Sequence, residues 1–148
     1  MRSRGIHSVS LTLEVPFFDV DSMQVVWHGH YVKYLEQARC ALLADIGHGY
    51  EAMQASGYAW PVVDLQLRYV QPAVFGQRLT IRADLLEWEN RLKINYLVVD
   101  AASGTRLTRA SSVQVPVSLA TREMQFTCPP GLRDAITHRL GRLQETAA

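Results

Sequence analysis

The stretch DVDSMQVVWHGHYVKYLEQAR, from Asp19 to Arg39, sets two carboxylates one residue apart, then Val25-Val26-Trp27, then two histidines around a glycine. A helical pattern begins immediately afterwards. A helix N-terminus presents N–H groups with no partner inside the helix, together with the positive end of the helix dipole. Those donors suit a developing oxyanion, and a carboxylate held beside them could attack a carbonyl carbon or deprotonate a water. A turn through Val25-Val26 would fold Asp21 back over the helix start. The same spacing also fits Asp21 as a turn or capping residue, and the residues alone leave both readings open. His28 could donate to a substrate or orient a water, since imidazole titrates near neutrality. It could equally be a helix-start histidine bonded to a carbonyl. His28 and His30 form an H-x-H pair, but no third ligand has recognisable spacing and zinc sites want three or four, so no metal is expected. Trp27, with Val25 and Val26, reads most simply as core or pocket wall. Glu36 and Arg39 are placed for an ion pair on the helix surface.

The elements that must position these groups are legible from periodicity. Val9, Leu11, Leu13 and Val15 alternate with polar residues, the pattern of a half-buried strand. The same period returns at Val63 to Tyr69, Leu79 to Leu85, Leu92 to Val98 and Val113 to Val117. Turn residues separate these runs at Pro72 to Gly76, Glu89-Asn90 and Ser103-Gly104. Tyr31, Tyr34, Leu35, Ala38, Leu42 and Ile46 instead follow helical spacing over sixteen residues, with Gly47 where a helix would end. Residues 49–56 suggest a short second helix, after which Gly57 returns the chain to strand. Beyond Pro129-Pro130, the residues Leu132, Ile136, Leu140 and Leu143 suggest a short terminal helix over about 131–143. Four consecutive strands favour antiparallel pairing, because tight turns join only antiparallel neighbours. Each strand has one apolar face and the long helix one apolar stripe. The expected fold is therefore a single α+β domain, residues 1–148 with a core of about 9–117, in which a five-stranded antiparallel sheet curls around one long helix.

Composition narrows the function classes. Fifteen basic and fourteen acidic residues in 148 give a net charge of +1, which offers no electrostatic footprint for nucleic acid or an anionic membrane. No run approaches the ~20 apolar residues of a membrane span. The basic N-terminus MRSRGIHSVSLTLEV passes into an alternating strand pattern rather than the apolar run of a signal peptide. Cys40 and Cys128 lack metal-type spacing and read as reduced thiols. Cytoplasm is the expected compartment.

The order of elements resembles the hotdog fold. The run D-x-D, then Val-Trp-His ahead of a Tyr-bearing helix, resembles the 4-hydroxybenzoyl-CoA thioesterase family, in pattern its Tol–Pal-associated acyl-CoA thioesterase branch. The likeness continues through Glu36, Ala38 and Arg39 and through Tyr69-Val-Gln-Pro72-Ala73, covering about Val9 to Val117. It implies that Asp21 is the catalytic carboxylate and Asp19 a non-catalytic acid. It also implies that the oxyanion donor is the backbone N–H at His28, whose side chain assists. Val26, Trp27 and Tyr31 are then candidate substrate contacts. In benzoyl-type relatives a basic cluster follows Glu-Trp at a strand turn. Here Glu87-Trp88 is followed by Glu89, Asn90 and Arg91, so Arg91 alone keeps that character as a candidate phosphate contact.

The expected activity is hydrolysis of an acyl thioester carried by coenzyme A or by a carrier protein, with no cofactor, since water and polarised donors suffice. A non-catalytic acyl-binding protein with the same pocket is the alternative. A hotdog dehydratase would require a His-Phe-Pro type loop, which is missing from the sequence. A single sheet around one helix leaves an open edge, and open edges invite pairing. At least a homodimer is expected, with the pocket completed by partner residues around Pro61 to Leu65. A tetramer follows only from the resemblance.

Overall fold

The computed structural model describes residues 6–147, with side chains through Arg139. The basic N-terminal residues 1–5 and the side chains of Leu140 and Leu143 lie outside that range. In chain order the elements are β1 (His7–Glu14), α1 (Tyr31–Ile46), α2 (Tyr50–Ser56), β2 (Tyr58–Ala59), β3 (Val62–Tyr69), β4 (Arg78–Glu87), β5 (Leu92–Asp100), β6 (Arg106–Gln114), β7 (Val117–Ser118) and α3 (Pro130–Ala147). Five strands form one antiparallel sheet in the order β1-β4-β5-β6-β3, and β2 pairs with β7 apart from it. The α+β reading holds.

Alternation decides which face each strand buries. Leu79, Ile81, Ala83 and Leu85 of β4 and Leu92, Ile94, Tyr96 and Val98 of β5 all point to the helix side and are buried. Register places Val9, Leu11 and Leu13 of β1 beside Ala83, Ile81 and Leu79 on that same face. Onto it α1 lays Tyr34, Leu35, Ala38 and Leu42, none more than 2% exposed. Removing such a side chain, Leu42→Ala for example, would cost ~2–5 kcal/mol. Gly47 ends α1 in the left-handed conformation at φ 87°, its N–H reaching the carbonyls of Leu43 and Ala44. A side chain would be strained there.

Three features depart from the spacing. The strand expected over Val113 to Val117 is centred earlier, on β6, and Pro116 stands between it and β7. Its helix-facing row is Thr108, Ala110, Ser112 and Gln114, too polar to show as an apolar alternation. Second, β3 does not neighbour β4. The connection over residues 70–77 carries the chain from one edge of the sheet to the far side of β5, so among the described residues β3 pairs with β6 alone and forms an edge. Third, α3 runs for 18 residues, longer than the short helix the pattern suggested. Because α1 packs on β1 and β4, its cover is off-centre, and β3 stays exposed along nearly its whole length.

Candidate active site

The segment between β1 and α1 is a small hairpin. Val20 and Val26 form its bridge, Asp21 N–H donates to the Val25 carbonyl at 3.0 Å, and Trp27 N–H donates to the Asp19 carbonyl at 3.0 Å. Its tip closes with Gln24 at φ 64°, and the Val26 N–H anchors it to the Ala73 carbonyl at 2.8 Å. This geometry fixes the order of the two acids. Asp19 lies opposite Trp27 at the helix start, and Asp21 lies nearer the tip.

Asp19 is 1% exposed, and its carboxylate accepts the Tyr34 hydroxyl at 2.5 Å and the Lys33 ammonium at 2.7 Å, with His30 Nδ1 at 3.9 Å. Burial pushes this carboxyl up. The hydrogen bonds from Lys33 and Tyr34, with the charges of Lys33 and His30, more than offset it and leave it below the ordinary value. Burial and the bonded carboxylate hold the Tyr34 phenol well above its usual range. A buried charge of this kind is tolerable only when paired and hydrogen-bonded.

Asp21 is half-buried, and its Oδ1 accepts the Met23 N–H at 2.8 Å, an Asx turn. Its second carboxylate oxygen has no protein donor among the described residues. Hydrogen bonds do not join Asp21 to His28. Ahead of α1, residues His28–His30 form a single 3-10 turn with Trp27 as its uncapped N-terminal residue, leaving the His28 and Gly29 N–H groups without an acceptor among the described residues. The Trp27 indole lies across Gly29, where an added Cβ would clash with ring atom Cζ3. That ring packs between the His28 and His30 rings, with centroids 5.1 and 5.3 Å away. Tyr69, from the end of β3, donates its hydroxyl to the His28 carbonyl at 2.7 Å and packs edge-on against Tyr31 at 5.3 Å.

The residues singled out by sequence divide accordingly. Trp27 and His28 are exposed beside the uncapped N–H groups, and Tyr69 lies edge-on to the His28 ring. Val26 and Tyr31 are 4% and 2% exposed, so each supports the site from beneath rather than facing solvent. Burial raises the Tyr31 phenol, partly offset by the Ala73 backbone and the Thr108 side chain beside its oxygen. Arg91 pairs with Glu87 at 3.1 Å at the start of β5, whereas Tyr69 meets Thr108 near the opposite end of the sheet. Within one chain Arg91 and His28 are therefore at opposite ends. Trp60 is buried at the Arg91 end, where its carbonyl accepts from Gln114 at 2.8 Å. Glu36 and Arg39 form the expected pair at 2.7 Å. Asp19 and Lys33 are not marked by the D-x-D spacing, although a lysine in a first helical turn, against the dipole, signals a buried anionic partner.

A family profile described as the thioesterase-like superfamily matches residues 15–140. The chain belongs to the thioesterase-like superfamily. Among curated relatives of this superfamily member, YneP of Bacillus subtilis strain 168, a candidate acyl-CoA thioesterase, is 32% identical over 76 residues, covering 51% of this chain and 55% of YneP. The candidate esterase sll0410 of Synechocystis is 32% identical over 108 residues, covering 60% of this chain and 65% of that protein. The matches thus span about half to two-thirds of the length of these relatives. Among solved structures, Slr0204 of Synechocystis, a 1,4-dihydroxy-2-naphthoyl-CoA thioesterase, superposes with a TM-score of 0.79 at 22% identity, covering 88% of this chain and 96% of that one. At that identity the likeness speaks for the hotdog fold alone.

Proposed function

We propose that this superfamily member hydrolyses acyl thioesters of coenzyme A or of a carrier protein. The observation that carries the reading is the uncapped turn at His28, with N–H groups open to a ligand, directly after a hairpin that presents a carboxylate with one free oxygen. The thioester carbonyl oxygen would take its hydrogen bond from the His28 N–H. Asp21 then acts in one of two ways. As nucleophile, its oxygen attacks the carbonyl carbon and expels the thiolate, and water opens the resulting mixed anhydride. As general base, it takes a proton from a water that attacks instead. In either route negative charge gathers on the carbonyl oxygen, where preorganised donors count most. The His28 imidazole assists from beside the carbonyl, and Trp27 forms a wall. The Tol–Pal-type assignment rests on the D-x-D and Val-Trp-His pattern.

We further propose that the site is shared by two copies. Antiparallel pairing of two β3 edges would set the Pro61 to Leu65 end of one chain beside Tyr69 of the other. The same pairing brings Arg91 of the partner subunit toward the His28 end, which a single chain cannot do. The expected compartment is the cytoplasm. No helix among the described residues is long and apolar enough to cross a membrane.

A second reading, a non-catalytic acyl-binding protein, draws on the Asx turn that occupies one oxygen of Asp21. A screen pairing each acyl chain with both carriers separates the two. Turnover of at least one thioester is expected, whereas binding without hydrolysis across the panel would favour the second reading.

A further inference from the structure

We infer that Lys33 is a positioning residue that keeps the buried Asp19 from opposing negative charge at the helix N-terminus. The inference rests on the thioesterase reading above. Asp19 ties the hairpin to the helix start twice, through its carbonyl on the Trp27 N–H and through its carboxylate on Tyr34 and Lys33. The clamp puts a fully buried carboxylate close to the N–H groups that would receive the substrate oxyanion. A unit charge ~8 Å from a developing oxyanion, at an effective dielectric of ~20, changes the rate by roughly thirtyfold. Without compensation the clamp would work against the chemistry it holds in place.

Compensation comes from Lys33. Its ammonium lies 2.7 Å from Asp19 Oδ1, and the Phe18 and Tyr34 rings flank it with centroids 5.8 and 5.6 Å away. Tyr34 donates a hydrogen bond but no charge, and His30 supplies charge only when protonated. Lys33 is the third residue of α1, in a first turn that contains no acidic residue. A cation there is disfavoured by the helix dipole. The ion pair with Asp19 explains why one is present.

The test compares kcat, KM and the urea unfolding midpoint for wild type, Lys33→Met, Lys33→Arg, the double variant Asp19→Asn/Lys33→Met, and Asp21→Asn, using the thioester that wild type hydrolyses fastest. Lys33→Met should lower kcat on the order of tenfold or more while KM stays within about twofold. Lys33→Arg should remain close to wild type, and the double variant should recover most of the kcat lost in Lys33→Met. A Lys33→Met enzyme with wild-type kcat would overturn the inference. If Lys33→Met also lowers the unfolding midpoint, the double variant decides, and no recovery of kcat there overturns it equally. Wild-type turnover by Asp21→Asn would instead remove the catalytic reading itself. A wild type that hydrolyses no thioester overturns both.

Discussion

Asp19 and Asp21 share a residue type and stand one position apart, yet the hairpin gives them unlike environments. Asp19 is buried under three donors or cations, and Asp21 keeps one oxygen open. That division of labour could not be read from D-x-D spacing, because the partners of Asp19 lie 14 and 15 residues further along the chain. Helical spacing did mark Tyr34 as an inward position, but nothing in it says that the phenol meets a carboxylate. The strength of this contact is measurable. Tyr34→Phe removes the donor, leaves the ring, and should lower the unfolding free energy by ~1.5–3 kcal/mol, the range for a bond to a charged group. Urea denaturation would show it, and an unchanged midpoint would mean that Asp19 is satisfied without Tyr34.

Among the elements, α1 and its Gly47 stop were legible to the residue, because a long amphipathic stripe ending in glycine has few other readings. β6 was not, because its helix-facing row is largely polar: Ser112 meets Tyr96 at 2.7 Å, and Gln114 reaches the Trp60 carbonyl. The junction of α1, α2 and α3 carries its own prediction. His48 follows the Gly47 cap, is 4% exposed, and packs against Gly131 at the start of α3. Burial holds its imidazole below the usual 6.5, so the unfolded chain binds the proton more readily than the folded one. The stability this contributes is present above pH ~6.5 and is lost as pH falls through the depressed folded value. His48→Gln should therefore flatten the acid side of a plot of unfolding midpoint against pH. His7, paired with Asp45 at 2.5 Å, is common to both proteins, so their difference isolates His48. Parallel curves for the two would refute the assignment.

On the scale of the molecule the unresolved need is at β3. The off-centre helix leaves Val63, Leu65 and Tyr69 exposed at 58%, 37% and 47%, on a strand whose outer edge has no strand neighbour among the described residues. Strand order, unlike strand existence, is set by which faces must be covered, and this is why spacing alone did not place β3 at an edge. An apolar edge strand of eight residues is a template for pairing, and two-fold pairing is the commonest geometry. Leu65→Lys should shift the protein toward monomer in sedimentation at micromolar concentration, with a parallel loss of hydrolysis. A wild-type monomer of full activity would contradict the shared site. The proposed hydrolysis depends above all on the carboxylate of Asp21. Its most direct test is the steady-state rate of acyl thioester hydrolysis by Asp21→Asn against wild type, with unfolding followed alongside. Removal of a general base or nucleophile should cost ~10²–10⁴ in kcat with the fold intact, whereas turnover at the wild-type rate would contradict a catalytic role for Asp21.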